Sequence, residues 1–175
     1  MQAGGCIWLI LYHPRVDPGP LWAKSMRTIL FICTGNTCRS PMAEGIARHL
    51  LVDRSSEVFV ASAGVAASEG APTSPETCET LRRHGIEFEG HSNALTPEMI
   101  RNAHAILCMT KSHAELAEFL VEDDPESIAR IEMLDPDRDL PDPIGQGQAV
   151  YDALADRLMK LLPDRLDALL KDDES

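Results

Sequence analysis

Residues 28–33, TILFIC, form an apolar run without polar alternation, and the run stops at Cys33. A stretch of that kind suits a strand buried on both faces, as in a parallel sheet covered by helices. The residues after Cys33 tighten the constraint. Thr34 to Arg39 (TGNTCR) is rich in turn-forming residues, and Ser40-Pro41 then opens a segment over 41–54 in which Met42, Ile46 and Leu50 recur every four residues. That spacing gives a helix one apolar face. Pro41 suits its first turn and Ser40 its cap. A buried strand, a tight turn and a capped helix make the opening unit of an α/β domain.

The rest of the chain repeats the alternation. VFVASAG (58–64), AILCMT (105–110) and ARIEML (129–134) read as strands. Helices are predicted over 74–85, where Ser74 caps, Pro75 opens and Gly85 closes, and over 96–103, which Thr96 and Pro97 begin. Another is predicted over 111–122, with Ala114, Leu116, Ala117 and Leu120 apolar. Residues 135–148, DPDRDLPDPIGQGQ, are a loop by their Pro, Gly and Asp content. Val150, Leu154, Leu158, Leu162, Leu166 and Leu170 repeat at four and predict a helix over 149–171, kinked or split at Pro163. The order β-α-β-α-α-β-α-β-α gives one α/β domain with a parallel sheet and helices on both faces. Ligands in such sheets sit beyond the carboxyl ends of the strands.

Residues 1–25 read differently. CIWLILY (6–12) is too short to span a bilayer, and Pro14, Pro18 and Pro20 oppose a helix. We expect an extension outside the fold, with the domain over 26–175. A start site assigned upstream of a native one at Met26 would account for it.

Charge and cysteine usage exclude several function classes. The formal net charge of −12 leaves no basic stripe for phosphate backbones, so no nucleic acid partner is expected, and no membrane. Five cysteines at irregular spacings form neither a zinc pattern nor a disulfide framework, which suits a cytoplasmic chain with reduced thiols. His84, His91, His104 and His113 lack ligand spacing and read as surface or structural; no metal and no cofactor are expected.

The loop from Cys33 to Ser40 suits an anion. Gly35 gives access to positive φ, and Asn36 tolerates left-handed geometry. Such a turn can aim its N–H groups inward, and the helix beginning at Pro41 adds its positive end. Arg39 adds a planar fork that matches two phosphoryl oxygens. The same groups favour the thiolate of Cys33, to which Ser40 can donate its hydroxyl. The product is a nucleophile beneath a bound tetrahedral anion, placed for in-line attack on phosphorus without a metal. No Gly-Lys-Ser/Thr comes after the glycine, so a P-loop nucleotide site is excluded.

CTGNTCRSPMAE resembles the signature of the low-molecular-weight protein tyrosine phosphatase family, and SAG (62–64), LTPEM (95–99), AILCMT (105–110) and DPIG (142–145) resemble its later landmarks. The resemblance covers about residues 27–170. It implies a four-stranded parallel sheet with flanking helices and hydrolysis of phosphorylated protein side chains through a phosphocysteine on Cys33. Arg39 would bind phosphate within the loop Thr34, Gly35, Asn36, Thr37, Cys38 and Ser40. Asn36 would hold the strained turn, and Cys38 would trap an oxidised Cys33 as a disulfide. The general acid would be the Asp of an Asp-Pro pair. Asp135-Pro136 and Asp142-Pro143 both qualify; Asp142 matches better, with Gly145 and Tyr151 after it. Asp137 and Asp139 could raise its pKa and keep it protonated.

Two departures bear on substrate. Ile144 stands where tyrosine-directed members carry an aromatic residue, and Thr37 where they carry Ile or Leu. Both features resemble the branch that acts on phosphoarginine and tilt the expectation from phosphotyrosine toward it. Phosphorylated proteins are the expected partners, and the enzyme is expected to be a monomer. Two alternatives stand beside this: a thiol-dependent arsenate reductase with Cys108 in a cysteine relay, though no cysteine lies beyond it, and a non-catalytic phosphate-binding adaptor.

Overall fold

The structure, a computed structural model, describes residues 26–55 and 57–171. The extension expected over 1–25 lies outside the described residues. β1 (Arg27–Cys33) takes the centre of the sheet, since its run of apolar side chains can be buried on both faces. β2 (Val58–Gly64) runs parallel on one side and β3 (Ala105–Cys108) on the other, with β4 (Ile131–Met133) at the edge, in the order β2-β1-β3-β4. The chain thus leaves β1 toward one side and later crosses to the other. That switch falls at the carboxyl end of β1, where Cys33 lies opposite Gly64 and Ile32 opposite Cys108.

Alternation along β1 divides the core. Ile29, Phe31 and Cys33 pack with Met42 and Ile46 of α1 (Arg39–Leu50), Leu81 of α2 (Pro75–Arg83) and Leu158 and Leu162 of α6 (Gln148–Lys171). Leu30 and Ile32 pack with Ile100 of α3 (Pro97–Asn102) and Ala117 of α4 (Lys111–Leu120). Each fully buried Leu, Ile or Phe contributes roughly 1.5–3 kcal/mol. The result is the expected four-stranded parallel sheet with helices on both faces.

Some expectations need correction. α1 begins at Arg39, with Cys38 at the cap position and no side-chain cap, because the Ser40 hydroxyl is used elsewhere. The helix ends at Leu50, and a 3₁₀ turn covers Val52–Arg54. β3 ends at Cys108, because the Thr110 side chain accepts from the His113 N–H and caps α4. Leu116 is exposed, while His113, outside the predicted apolar set, is buried. A further turn of helix, α5 (Pro125–Ile128), capped by Asp124, precedes β4. α6 runs through Pro163 unbroken; the proline lies on an exposed side, where water can serve the carbonyl left without an N–H.

Candidate active site

The turn after β1 is held by its own side chains. Asn36 has φ of 53°, the left-handed region, and is almost fully buried. Gly35 is not at positive φ, contrary to expectation; an added Cβ there would meet only Thr37 Oγ1 at 3.7 Å. Asn36 tolerates the conformation because its side chain is tied on every side. Nδ2 donates to Ser40 Oγ (2.9 Å) and Ser62 Oγ (2.7 Å), and Oδ1 accepts from Asn93 N (2.8 Å). The glycine that matters for space is Gly64, where a Cβ would lie 2.5 Å from Thr34 O and 2.9 Å from Asn36 N. The turn can therefore seat directly on β2.

These bonds run in one direction. Asn36 supplies the protons to Ser40 Oγ and Ser62 Oγ, so each hydroxyl keeps its own proton to give. Ser62 gives its proton to Glu44 Oε2, and Ser40 Oγ lies 2.9 Å from Cys33 Sγ. The Asn36 N–H also donates to Cys33 Sγ at 3.3 Å. Two donors thus converge on the sulfur at the start of α1, an arrangement suited to a thiolate. Glu44 anchors the far end of the network. Burial pushes its carboxyl above the usual range, opposed by the Ser62 hydrogen bond and by Arg48, with which it forms an ion pair.

Arg39 is buried and reaches across the mouth of the turn. NH1 donates to Leu140 O (3.3 Å), and NH2 donates to Thr34 Oγ1 (3.1 Å) and Asp142 Oδ2 (2.6 Å). The Asp142 side chain is 44% exposed against 6% for Arg39, so the carboxylate can leave this pair without opening the fold. The two Asp-Pro candidates separate cleanly. Asp135 is buried against Arg157 and accepts from Asp137 N, whereas Asp142 lines a cleft of about 140 Å³ with Cys33, Arg39, Thr37 and Ile144. Asp139 accepts from the Lys111 N–H, and Asp137 turns back on Asp135 through its own N–H. A larger cavity of about 450 Å³ between Glu44, Arg48, Phe59 and Phe88 has no cysteine in its lining. Among the described residues no cluster of His, Cys, Asp and Glu is arranged to hold a metal ion.

Thr37 and Ile144 form part of the rim. The Thr37 carbonyl accepts from the Ser74 N–H at the start of α2, and Ile144 is largely exposed. Cys38 is buried, with Tyr151 Oη 3.3 Å from its sulfur. Burial and that contact push the Tyr151 hydroxyl up to about 12. All four described cysteines are free. Cys108 lies in the core across the sheet from Cys33, and burial pushes its thiol up to about 12, which disfavours the thiolate a relay would need.

One neighbour escaped the sequence reading. His113 is buried, with Nε2 2.8 Å from Thr34 Oγ1 and Nδ1 2.8 Å from Thr110 Oγ1. Burial and then the Arg39 guanidinium pull its pKa from 6.5 to about 4, against the opposing pull of Asp139 and Asp142. The unfolded chain therefore binds a proton here that the folded chain refuses between those two values. Stability from this site is complete above about pH 6.5 and is lost as pH falls toward 4. We expect the melting temperature of the wild type to fall more steeply across that window than that of His113→Leu. Parallel slopes would show that the ring titrates normally. Only spatial proximity marks His113; Ser62, a hydroxyl in an apolar strand, and Glu44, which closes the CTGNTCRSPMAE signature, are the readable hints of the network behind the turn.

Comparison with known proteins agrees with this geometry. Residues 28–175 match the family model described as low molecular weight phosphotyrosine protein phosphatase. The chain is 34% identical over 146 residues to a protein-arginine-phosphatase of Bacillus subtilis, covering 82% of this chain and 97% of that protein. It is 31% identical over 134 residues to the low molecular weight protein-tyrosine-phosphatase PtpB of Staphylococcus epidermidis, covering 77% and 93%. Among solved structures it resembles YwlE arginine phosphatase, in a mutant with a phosphorylated active site serine, at a TM-score of 0.77 and 31% identity, covering 83% and 97%.

Proposed function

The chain belongs to the low molecular weight phosphotyrosine protein phosphatase family and is a cysteine-dependent protein phosphatase; from that premise we propose that Cys33 is its nucleophile and phosphoarginine in proteins its substrate. The phosphoryl group sits in the turn with Arg39 on two of its oxygens. The Cys33 thiolate attacks phosphorus in line, forming the S–P bond as the P–N bond breaks. Asp142, displaced from Arg39 and protonated from solvent, gives that proton to the departing guanidine nitrogen. Asp142 then takes a proton from water as that water attacks phosphocysteine, breaking S–P and releasing inorganic phosphate. The Arg39–Asp142 pair of the free enzyme supports this sequence: the incoming phosphoryl group replaces the carboxylate on Arg39 and leaves Asp142 beside the leaving group.

One observation carries the substrate. The cleft is lined by Cys33, Thr34, Gly35, Thr37, Cys38, Arg39, Asp142 and Ile144, with no ring to stack on a phenyl group. The Thr37 hydroxyl instead suits the N–H groups of a guanidine, and Asp142 faces the nitrogen that departs. The named function of the Bacillus relative supports the same choice, and the structure with a phosphorylated active site serine supports phosphoryl transfer to position 33. Phosphotyrosine is the second reading, favoured by the family description and the Staphylococcus relative. We further propose that the enzyme acts as a cytoplasmic monomer and that peroxide closes a Cys33–Cys38 disulfide. No helix among the described residues is long and apolar enough to cross a membrane.

A matched pair of peptides, one with phosphoarginine and one with phosphotyrosine, tests the substrate. We expect at least about tenfold higher kcat/KM on phosphoarginine, the size of a polar-contact discrimination. The opposite preference would assign Thr37 and Ile144 no part in selection.

A further inference from the structure

Thr34 Oγ1 is a junction rather than a rim group. It accepts from Arg39 NH2 at 3.1 Å and lies 2.8 Å from His113 Nε2, while the other ring nitrogen lies 2.8 Å from Thr110 Oγ1, the cap of α4. A single buried ring thus ties the turn after β1 to the helix after β3, across the switch point of the sheet. Arg39 has three anchors, the Leu140 carbonyl, Thr34 Oγ1 and Asp142. A phosphoryl group competes for the third. The first two must hold the guanidinium while it does, and one of them is a freely rotating side chain unless something fixes it.

We propose that His113 is a positioning residue for phosphate binding: its bond to Thr34 fixes the hydroxyl that orients the Arg39 fork. The inference rests on the reading of the turn as a phosphate cradle. A neutral ring presents one acceptor and one donor nitrogen. It can accept the Thr34 proton while giving its own to Thr110, or run the chain in reverse. A doubly protonated ring has only donors and cannot complete the first arrangement. Burial and the nearby Arg39 charge keep the ring neutral, so the lock is closed under ordinary conditions. Nothing in this role requires His113 to touch substrate; it acts through Thr34.

Binding of inorganic phosphate to the full chain, measured by calorimetry near neutral pH, tests it. The variants are Thr34→Val, His113→Leu, the double variant, and His113→Gln, whose amide is long enough to reach Thr34. Loss of one oriented, charge-assisted contact predicts about a tenfold rise in Kd for each single variant. The double variant should be no worse than Thr34→Val alone, since His113 acts only through the Thr34 hydroxyl. His113→Gln should return to within about threefold of wild type, which a purely structural histidine would not require. An unchanged Kd in His113→Leu, or effects that multiply in the double variant, would overturn the proposal. If the leucine variant does not fold, His113→Asn replaces it. Its shorter amide can serve Thr110 but not Thr34, so it should bind weakly where glutamine binds well. Equal binding by the two would count against the lock. Failure of the wild type itself to bind phosphate would instead remove the cradle reading, so the two failures are distinguishable.

Discussion

Cys33→Ser is expected to lower turnover by at least about 10⁴-fold while leaving the affinity for inorganic phosphate within about threefold. The asymmetry comes from the role of the sulfur. Its neighbours, the Asn36 N–H and the Ser40 hydroxyl, are placed to support a thiolate. A serine hydroxyl in the same place stays protonated, attacks poorly and leaves poorly. The cradle itself, made of the turn, the start of α1 and Arg39, is unaltered by exchanging one atom. Steady-state kinetics with phosphate titration separate the two effects. Activity surviving in the serine variant would refute covalent catalysis at position 33. Loss of phosphate binding along with activity would show that the sulfur shapes the cradle as well as attacking from it. An adaptor would need no such division, because binding alone does not call for a nucleophile.

Arg39→Lys should cost about 10²–10³-fold in kcat/KM, shared between kcat and KM. Arg39 bonds the Leu140 carbonyl, Thr34 Oγ1 and Asp142 from one planar group. An ammonium ion is a point charge on a flexible stem. It cannot keep the protein anchors and offer two parallel N–H groups to phosphate. The transition state carries more charge on its equatorial oxygens than the bound substrate, so part of the loss falls on kcat. Because the charge is retained, the variant distinguishes geometry from electrostatics. A loss under about tenfold would mean that positive charge alone suffices, and the guanidinium geometry would be irrelevant.

How much of this could be read from the chain depends on where the interacting partners lie. β1 was legible because its burial is uniform and needs no partner to be recognised. The turn was legible because Cys33, Asn36, Arg39 and Ser40 lie within eight residues, and a strand before and helix after fix their mutual placement. Asp142 was preferred over Asp135 only through the resemblance, by Gly145 and Tyr151 after it; burial of Asp135 against Arg157 separates the two physically, and burial is a tertiary property. Caps were the weak point. Ser40 carries a cap signature, yet its hydroxyl goes to the Cys33 sulfur; Thr110 sits in an apparent strand, yet caps α4. A short hydroxyl side chain takes whichever partner the fold brings near, and local sequence cannot rank those partners. His113 and Asn93 reach the turn only through long-range contacts, so no spacing rule could connect them to it, and Glu44, though it closes the CTGNTCRSPMAE signature, acts on the turn only through Ser62.

Trapping the phosphoenzyme tests covalent catalysis at Cys33 most directly. Asp142→Ala, given an aryl phosphate with a good leaving group, needs little acid assistance to be phosphorylated but lacks the base that activates water for release. Rapid quench followed by peptide mapping should find a single phosphoryl group on the peptide carrying Cys33. Adding Cys33→Ser to the same variant should remove the phosphocysteine, leaving at most a stable phosphoserine at that position. Label on any other peptide, or no covalent label during active turnover, would contradict a phosphocysteine at Cys33 and with it the mechanism.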